Sequence, residues 1–119
     1  MVKSGYEAAL PYVAVDKTLI RELLHPQIHG DMELSLAEIV VAPYEKIQTQ
    51  KNSRSDRIFH VIEGKGSMRI GDRVFTVNAR DSFSVPRDII FEMENSGECF
   101  LRVLCFCSPA LNNNDTELY

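Results

Sequence analysis

Apolar residues recur along this chain in short runs with a period of two, separated by glycine, proline and polar clusters. No stretch after residue 30 keeps a helical period beyond about a turn. The pattern predicts strands at Tyr12–Val15, Leu19–Leu24, Leu34–Val41, Arg57–Glu63, Ser67–Ile70, Arg73–Val77, Ser82–Val85, Ile89–Glu94 and Phe100–Cys107. Within RIFHVIE, alternation puts Arg57, Phe59 and Val61 on one face and Ile58, His60 and Ile62 on the other. Both faces are largely apolar, so this strand needs cover on both sides, and CFLRVLCFC reads the same way. Gly71-Asp72 predicts a two-residue hairpin turn, Gly64 and Gly66 bracket a tight reversal, and Pro86 ends the strand SFSV because it cannot donate to a ladder. Tyr6–Leu10 allows one helical turn before Pro11. The polar end NNNDTELY is expected to lie over the surface or fray. Together these signals describe one all-β domain over residues 1–119, a two-sheet jelly roll with its core at about 12–108 and a polar tail at 109–119.

Composition narrows the setting more than the chemistry. A chain of 119 residues can bury a core without disulfides or a structural metal. No apolar stretch approaches the roughly 18 residues needed to cross a bilayer, and the first residues lack the apolar region of a signal peptide, so the expected location is cytoplasmic. A net charge of −4 with no basic run argues against nucleic acid as a partner. Of the three cysteines, Cys105 and Cys107 share a strand face and Cys99 lies too far along to join them. They read as buried or half-buried thiols in a reducing compartment.

Two segments carry a resemblance. QKNSRSDRIFHVIEGKG followed by ARDSFSVPRDIIFEMEN resembles the two-part signature of the cupin family. The resemblance implies a cupin-type jelly-roll β-barrel, a double-stranded β-helix. In that family paired histidines, a glutamate and a third histidine hold a divalent metal, and here those positions read Gln50, Asn52, Arg57 and Phe91. Arg80 and Asp88 stand where the family pattern has glycines, whereas Pro86 and Asn95 match it. RELLHP, CSP and DTEL are similar to a bacterial subgroup of small single-domain cupins, whose members ordinarily keep the histidine pair.

The exchanges remove the usual metal chemistry. Amides bind Fe, Mn, Ni or Zn poorly, and a guanidinium in the carboxylate position repels a divalent ion, so no metal and no cofactor are expected. A one-residue slip would present Asp56 and His60 instead and allow a metal-dependent oxygenase with unconventional ligands. The main reading is a metal-free binding or regulatory cupin. Its pocket would be lined by Gln50, Asn52, Arg57, Phe59, Val61, Phe91 and Met93, and would take a small organic anion or apolar metabolite, with Arg57 binding an anion bidentately. Against it stands a barrel filled by its own side chains, with Arg57 at the rim or paired with Asp56 or Glu45. A metal-independent isomerase, epimerase or cyclase-like enzyme would need an acid–base pair in the barrel, for which the sequence offers Arg57 with Asp56, Tyr44 and Glu92 as weaker candidates. His25 and His29 fall on a loop around Pro26, and the serines form no triad. Strands apolar on both faces predict a homodimer.

Overall fold

The structure, a computed structural model, describes residues 1–30 and 32–119. Its strands are β1 (Tyr12–Val13), β2 (Leu19–Leu24), β3 (Ser35–Val41), β4 (Lys46–Asn52), β5 (Asp56–Glu63), β6 (Lys65–Ile70), β7 (Arg73–Asn78), β8 (Ser82–Val85), β9 (Phe91–Asn95), β10 (Leu101–Ser108) and β11 (Thr116–Leu118). They form two antiparallel sheets, one ordered β1-β2-β3-β10-β5-β8 and the other β11-β4-β9-β6-β7. At the centre of the first sheet, β10 pairs Val103 with Ile39 on β3 and with Val61 on β5. All three residues are buried. The next inward row along β10 aligns Cys105 with Ala37 and Phe59, and the row after it aligns Cys107 with Ser35 and Arg57. The period-two alternation of these strands thus becomes the inner wall of a jelly roll.

Aromatic rings close one side of the space between the sheets. Phe59 stacks on Phe83 at 5.2 Å between centroids, and Phe91, from the second sheet, tilts against Phe59 at 5.9 Å. Phe75 meets Phe83 edge-on at 5.9 Å. Burying a side chain of this size contributes roughly 1.5–3 kcal/mol. Asn95 ties the sheets together: its Nδ2 donates to the Val41 and Cys99 carbonyls at 2.9 and 2.8 Å, and its Oδ1 accepts from the Gly97 amide at 2.9 Å.

Four local features differ from the sequence expectation. Strand β4 was not predicted, because KIQTQKN lacks apolar alternation. A register irregularity between Ile47 and Gln50 shifts its phase, so Ile47, Gln50 and Asn52 are all buried. The polar tail does not fray, since β11 adds to the edge of β4, pairing Leu118 with Gln50. Pro26–His29 forms one helical turn, α1, with Pro26 at its start where a missing N–H costs nothing and His25 as its cap. Gly64, at φ +93°, passes the chain from one sheet to the other, while Gly66 lies inside β6, where an added Cβ would come within 2.4 Å of the Glu94 carbonyl. The pair therefore does not bracket a hairpin.

The hairpin at Gly71 is present, between β6 and β7, with φ +57°. Arg80 and Asp88 hold φ values of +77° and +65°. The backbone thus keeps the left-handed geometry that the family pattern meets with glycine, although the side chains have changed. A left-handed non-glycine residue costs roughly 1–2 kcal/mol, less for Asp, and glycine returns part of the gain as unfolded-state entropy. Arg80→Gly is accordingly expected to stabilise the fold by about 0.5–1 kcal/mol and Asp88→Gly by less. Urea unfolding midpoints with unchanged slopes would check this, and a destabilised Arg80→Gly would refute it.

Candidate functional site

Arg57 enters the barrel from β5 because it sits in phase with Phe59 and Val61. It is only 6% exposed, yet it makes no hydrogen bond or ion pair among the described residues, and its Nε is buried without a partner. The guanidinium carbon lies 4.4 Å from the centroid of the Phe91 ring and 5.8 Å from that of Phe59. These aromatic faces attract the cation but cannot accept its N–H protons as a carboxylate would. Burial pushes the guanidinium's pKa downward, opposed by Cys105, Cys107 and Asp16. Arg57 is therefore neither at the rim nor paired as expected: Asp56 is held by Arg87 at 3.1 Å, and Glu45 is exposed.

Beside Arg57 lies a cavity of about 30 Å³ between the two sheets. This is room for a water or two, or for one compact polar group. Gln50, Arg57, Phe59 and Phe91 line it together, Gln50 and Phe91 being cross-strand neighbours on β4 and β9. The other three proposed pocket residues lie elsewhere. Val61 and Met93 belong to the packed core. Asn52 is buried at the end of β4, its Oδ1 accepting from the Arg54 and Ser55 amides of the following turn at 3.0 and 2.8 Å.

Besides apolar residues of the strands, such as Ile20, Ile39 and Ile47, the lining includes residues from a turn and from the tail that sequence reasoning missed. Asp16, in the connection between β1 and β2, reaches the cavity and accepts from Gln50 Nε2 at 2.9 Å and from the Thr18 amide at 3.1 Å. Leu111, Asn113 and Thr116 of the tail also line the cavity. Leu111 is fixed by His25, whose Nε2 lies 2.7 Å from the Leu111 carbonyl while its Nδ1 accepts from the Gln27 amide at 3.1 Å. Those two bonds require a neutral imidazole protonated on Nε2. Cys105 also lines the cavity. Its sulfur is 3.6 Å from that of Cys107, whereas Cys99 is exposed rather than half-buried.

The residues present do not fit the metal that the family signature implies. Among the described residues no group of three His, Cys, Asp or Glu side chains is placed to share an ion. His60 faces outward, 2.8 Å from Ser82 Oγ, a contact with no third member among the described residues to make a triad. Tyr44 is exposed, and Glu92 lies outside the barrel with Thr49, Lys46 and Arg69, which hold its carboxyl below the usual range, the Thr49 hydrogen bond foremost. Neither is an acid–base group for this cavity.

An unpaired buried charge destabilises the fold that contains it. Arg57→Met is expected to raise stability by about 1–3 kcal/mol, because an apolar chain of similar length removes the desolvation cost and keeps most of the packing. The check is the urea midpoint of the two proteins, and a lower midpoint for the variant would show that Arg57 is satisfied in the folded state.

Comparison with known proteins agrees with this architecture. Residues 37–107 match the family described as Cupin domain. A protein of Methanocaldococcus jannaschii, MJ1618, is 34% identical over 118 residues, covering 99% of this chain and 94% of its own. Gentisate 1,2 dioxygenase 1 of Aquipseudomonas alcaligenes is 41% identical over 58 residues, a match spanning 48% of this chain and 17% of that enzyme. Among solved structures, the Streptomyces nucleoside dehydratase Pac13 superposes with a TM-score of 0.79 at 17% identity, covering 98% of this chain and 89% of that one. The polyketide cyclase RemF of Streptomyces resistomycificus does so at 0.78 and 17%, covering 91% and 79%. With two facing antiparallel sheets, the matched segment and a relative spanning nearly its whole length, the chain belongs to the cupin family.

Proposed function

We propose that this protein is a metal-free cupin that binds the carboxylate of a small organic acid inside its barrel, with Arg57 as the counter-charge. The observation that carries the reading is the buried guanidinium with no acceptor for its Nε–H among the described residues, set against an aromatic wall beside a small cavity. A planar carboxylate supplies the missing acceptors in the bidentate geometry a guanidinium favours. The cavity holds the carboxylate group alone, so the rest of a larger acid requires Leu111 and Asn113 to give way. The partial relative named for gentisate, an aromatic carboxylic acid, supports the same ligand class. Titration calorimetry with formate, acetate and benzoate, each against its neutral amide, tests the reading. Carboxylates are expected to bind and amides not, with binding lost in Arg57→Met; equal binding by the amides, or by the variant, would sink it.

A second reading, a metal-independent acid–base enzyme, is favoured by Asp16, a carboxylate lining the same cavity as Arg57. It predicts that Asp16→Asn keeps carboxylate affinity within a few-fold while turnover of the bound acid falls by about 10²–10⁴. Absence of turnover in the parent protein would leave the binding reading alone standing, and retained turnover in the variant would remove Asp16 from the chemistry.

The same proposal includes a homodimer formed through the outer face of the first sheet. Ile58 and Ile62 on β5 and Phe106 on β10 point away from the barrel and are 54%, 38% and 43% exposed. Such a neighbouring apolar set marks an association surface. Light scattering coupled to gel filtration is expected to give twice the chain mass, and Phe106→Glu to give the monomer; a monomeric parent protein would refute the dimer.

A further inference from the structure

We infer that residues 110–119 form a strap that lifts from the barrel without unfolding it and so gates access to Arg57, a role that rests on the carboxylate reading of the site for its ligand. The partition between cavity and exterior is one side chain thick at Leu111 and Asn113. Both residues line the cavity beside Arg57, and both also border a surface groove of about 340 Å³ shared with Tyr12, Glu22 and His25. Leu111 borders a second groove as well, of about 540 Å³, beside Arg54 and Ser108. Displacing these two side chains therefore joins the enclosed cavity to open space that can hold the body of a larger acid.

Little holds the strap down. None of residues 109–119 is fully buried, whereas Arg57, Phe59, Phe91 and Cys105 of the cavity wall are. Its strand β11 pairs with β4 over three residues. The remaining anchors are separate hydrogen bonds: the Ala110 amide to the Glu33 carbonyl at 2.8 Å, the Leu111 amide to Ser35 Oγ at 2.9 Å, and His25 Nε2 to the Leu111 carbonyl at 2.7 Å. A segment with few buried apolar contacts opens at the low end of a protein's local stabilities. The closed strap also leaves Asp115 Oδ2 buried without a partner among the described residues, a deficit that water makes good once the strap lifts.

The hinge falls after Pro109, whose carbonyl accepts from Ser55 Oγ at 2.8 Å just beyond the end of β10. With the strap lifted, the pairing of β11 with β4 is lost and the other strand pairings of both sheets remain. Asp16 borders the cavity and a groove too, but its carboxylate is pinned by Gln50 at 2.9 Å and by the Thr18 amide at 3.1 Å. The strap is the looser of the two covers.

Cys105 reports the opening, because it lines the cavity and Cys107 does not. The full chain is alkylated with iodoacetamide under native conditions, and the Cys105 rate is taken relative to that of Cys107 by peptide mass analysis. Lys51 and Glu117 are register partners whose charged groups lie 3.7 Å apart, away from the cavity lining. A disulfide in Lys51→Cys/Glu117→Cys therefore tethers β11 to β4, and Lys51→Ala/Glu117→Ala is the untethered control. The tether is expected to slow Cys105 alkylation about tenfold or more, and Leu111→Ala, which thins the partition, to speed it by about as much. Calorimetry should show that the tethered protein loses benzoate and keeps formate, which fits the closed cavity. A Cys105 rate unchanged by the tether would mean entry elsewhere, as past the Asp16 turn, and would overturn the gate. So would an unchanged rate in Leu111→Ala, or benzoate bound by the tethered protein as tightly as by the control. If neither carboxylate binds any form while Cys105 still follows the tether, the strap is upheld and the carboxylate reading is lost.

Discussion

A guanidinium enclosed between two sheets, its Nε without a hydrogen-bond acceptor among the described residues, is the constraint around which this molecule is arranged. Moving such a charge out of water costs several kcal/mol, and the Phe91 and Phe59 faces return only part of it. A core assembled for stability alone would place an aliphatic side chain at this position on β5. The Asp16 turn and the tail held by His25 bound the cavity beside it, which has room for only a water or two. The fold thereby holds a strong local field in a space of a few atoms.

Most of the fold was legible because its central strands obey strict alternation. Ser35–Val41, Asp56–Glu63 and Leu101–Ser108 carry apolar residues on their inner faces, and the sequence periodicity located all three within a residue at their starts and ends. Strand β4 was illegible for the converse reason: two of its inward positions are the amides Gln50 and Asn52, and the phase shift after Ile47 destroys the period. The short β11 borrows its order from the β4 edge rather than from its own residues. His25 shows the same limit, since its bond to Leu111 joins positions that no local pattern connects.

The site was legible only where it lies on those regular strands. Arg57, Phe59 and Phe91 follow from alternation, and Gln50 from the family register, and these four do share a cavity. Asn52 was assigned by the same register, but its carbonyl oxygen is committed to two backbone amides of the following turn. Asp16 and Leu111 could not be found from sequence, because each arrives through a tertiary contact with a strand far away in the chain. The retained left-handed geometry at Arg80 and Asp88 makes the complementary point. Backbone shape has outlasted the residue type that ordinarily requires it, so the scaffold and its chemistry vary independently.

The bond between His25 and Leu111 spans 86 residues of sequence. It is not alone in its reach: β10 closes on β3 by pairing Cys107 with Ser35, and β11 on β4 by pairing Thr116 with Asn52, so the wall and its cover are both contacts of high contact order. Loop-closure entropy grows only logarithmically with length, so the tail costs little more to close than the wall does. Arg57 is thus enclosed by long-range closures of the chain and by no local hairpin.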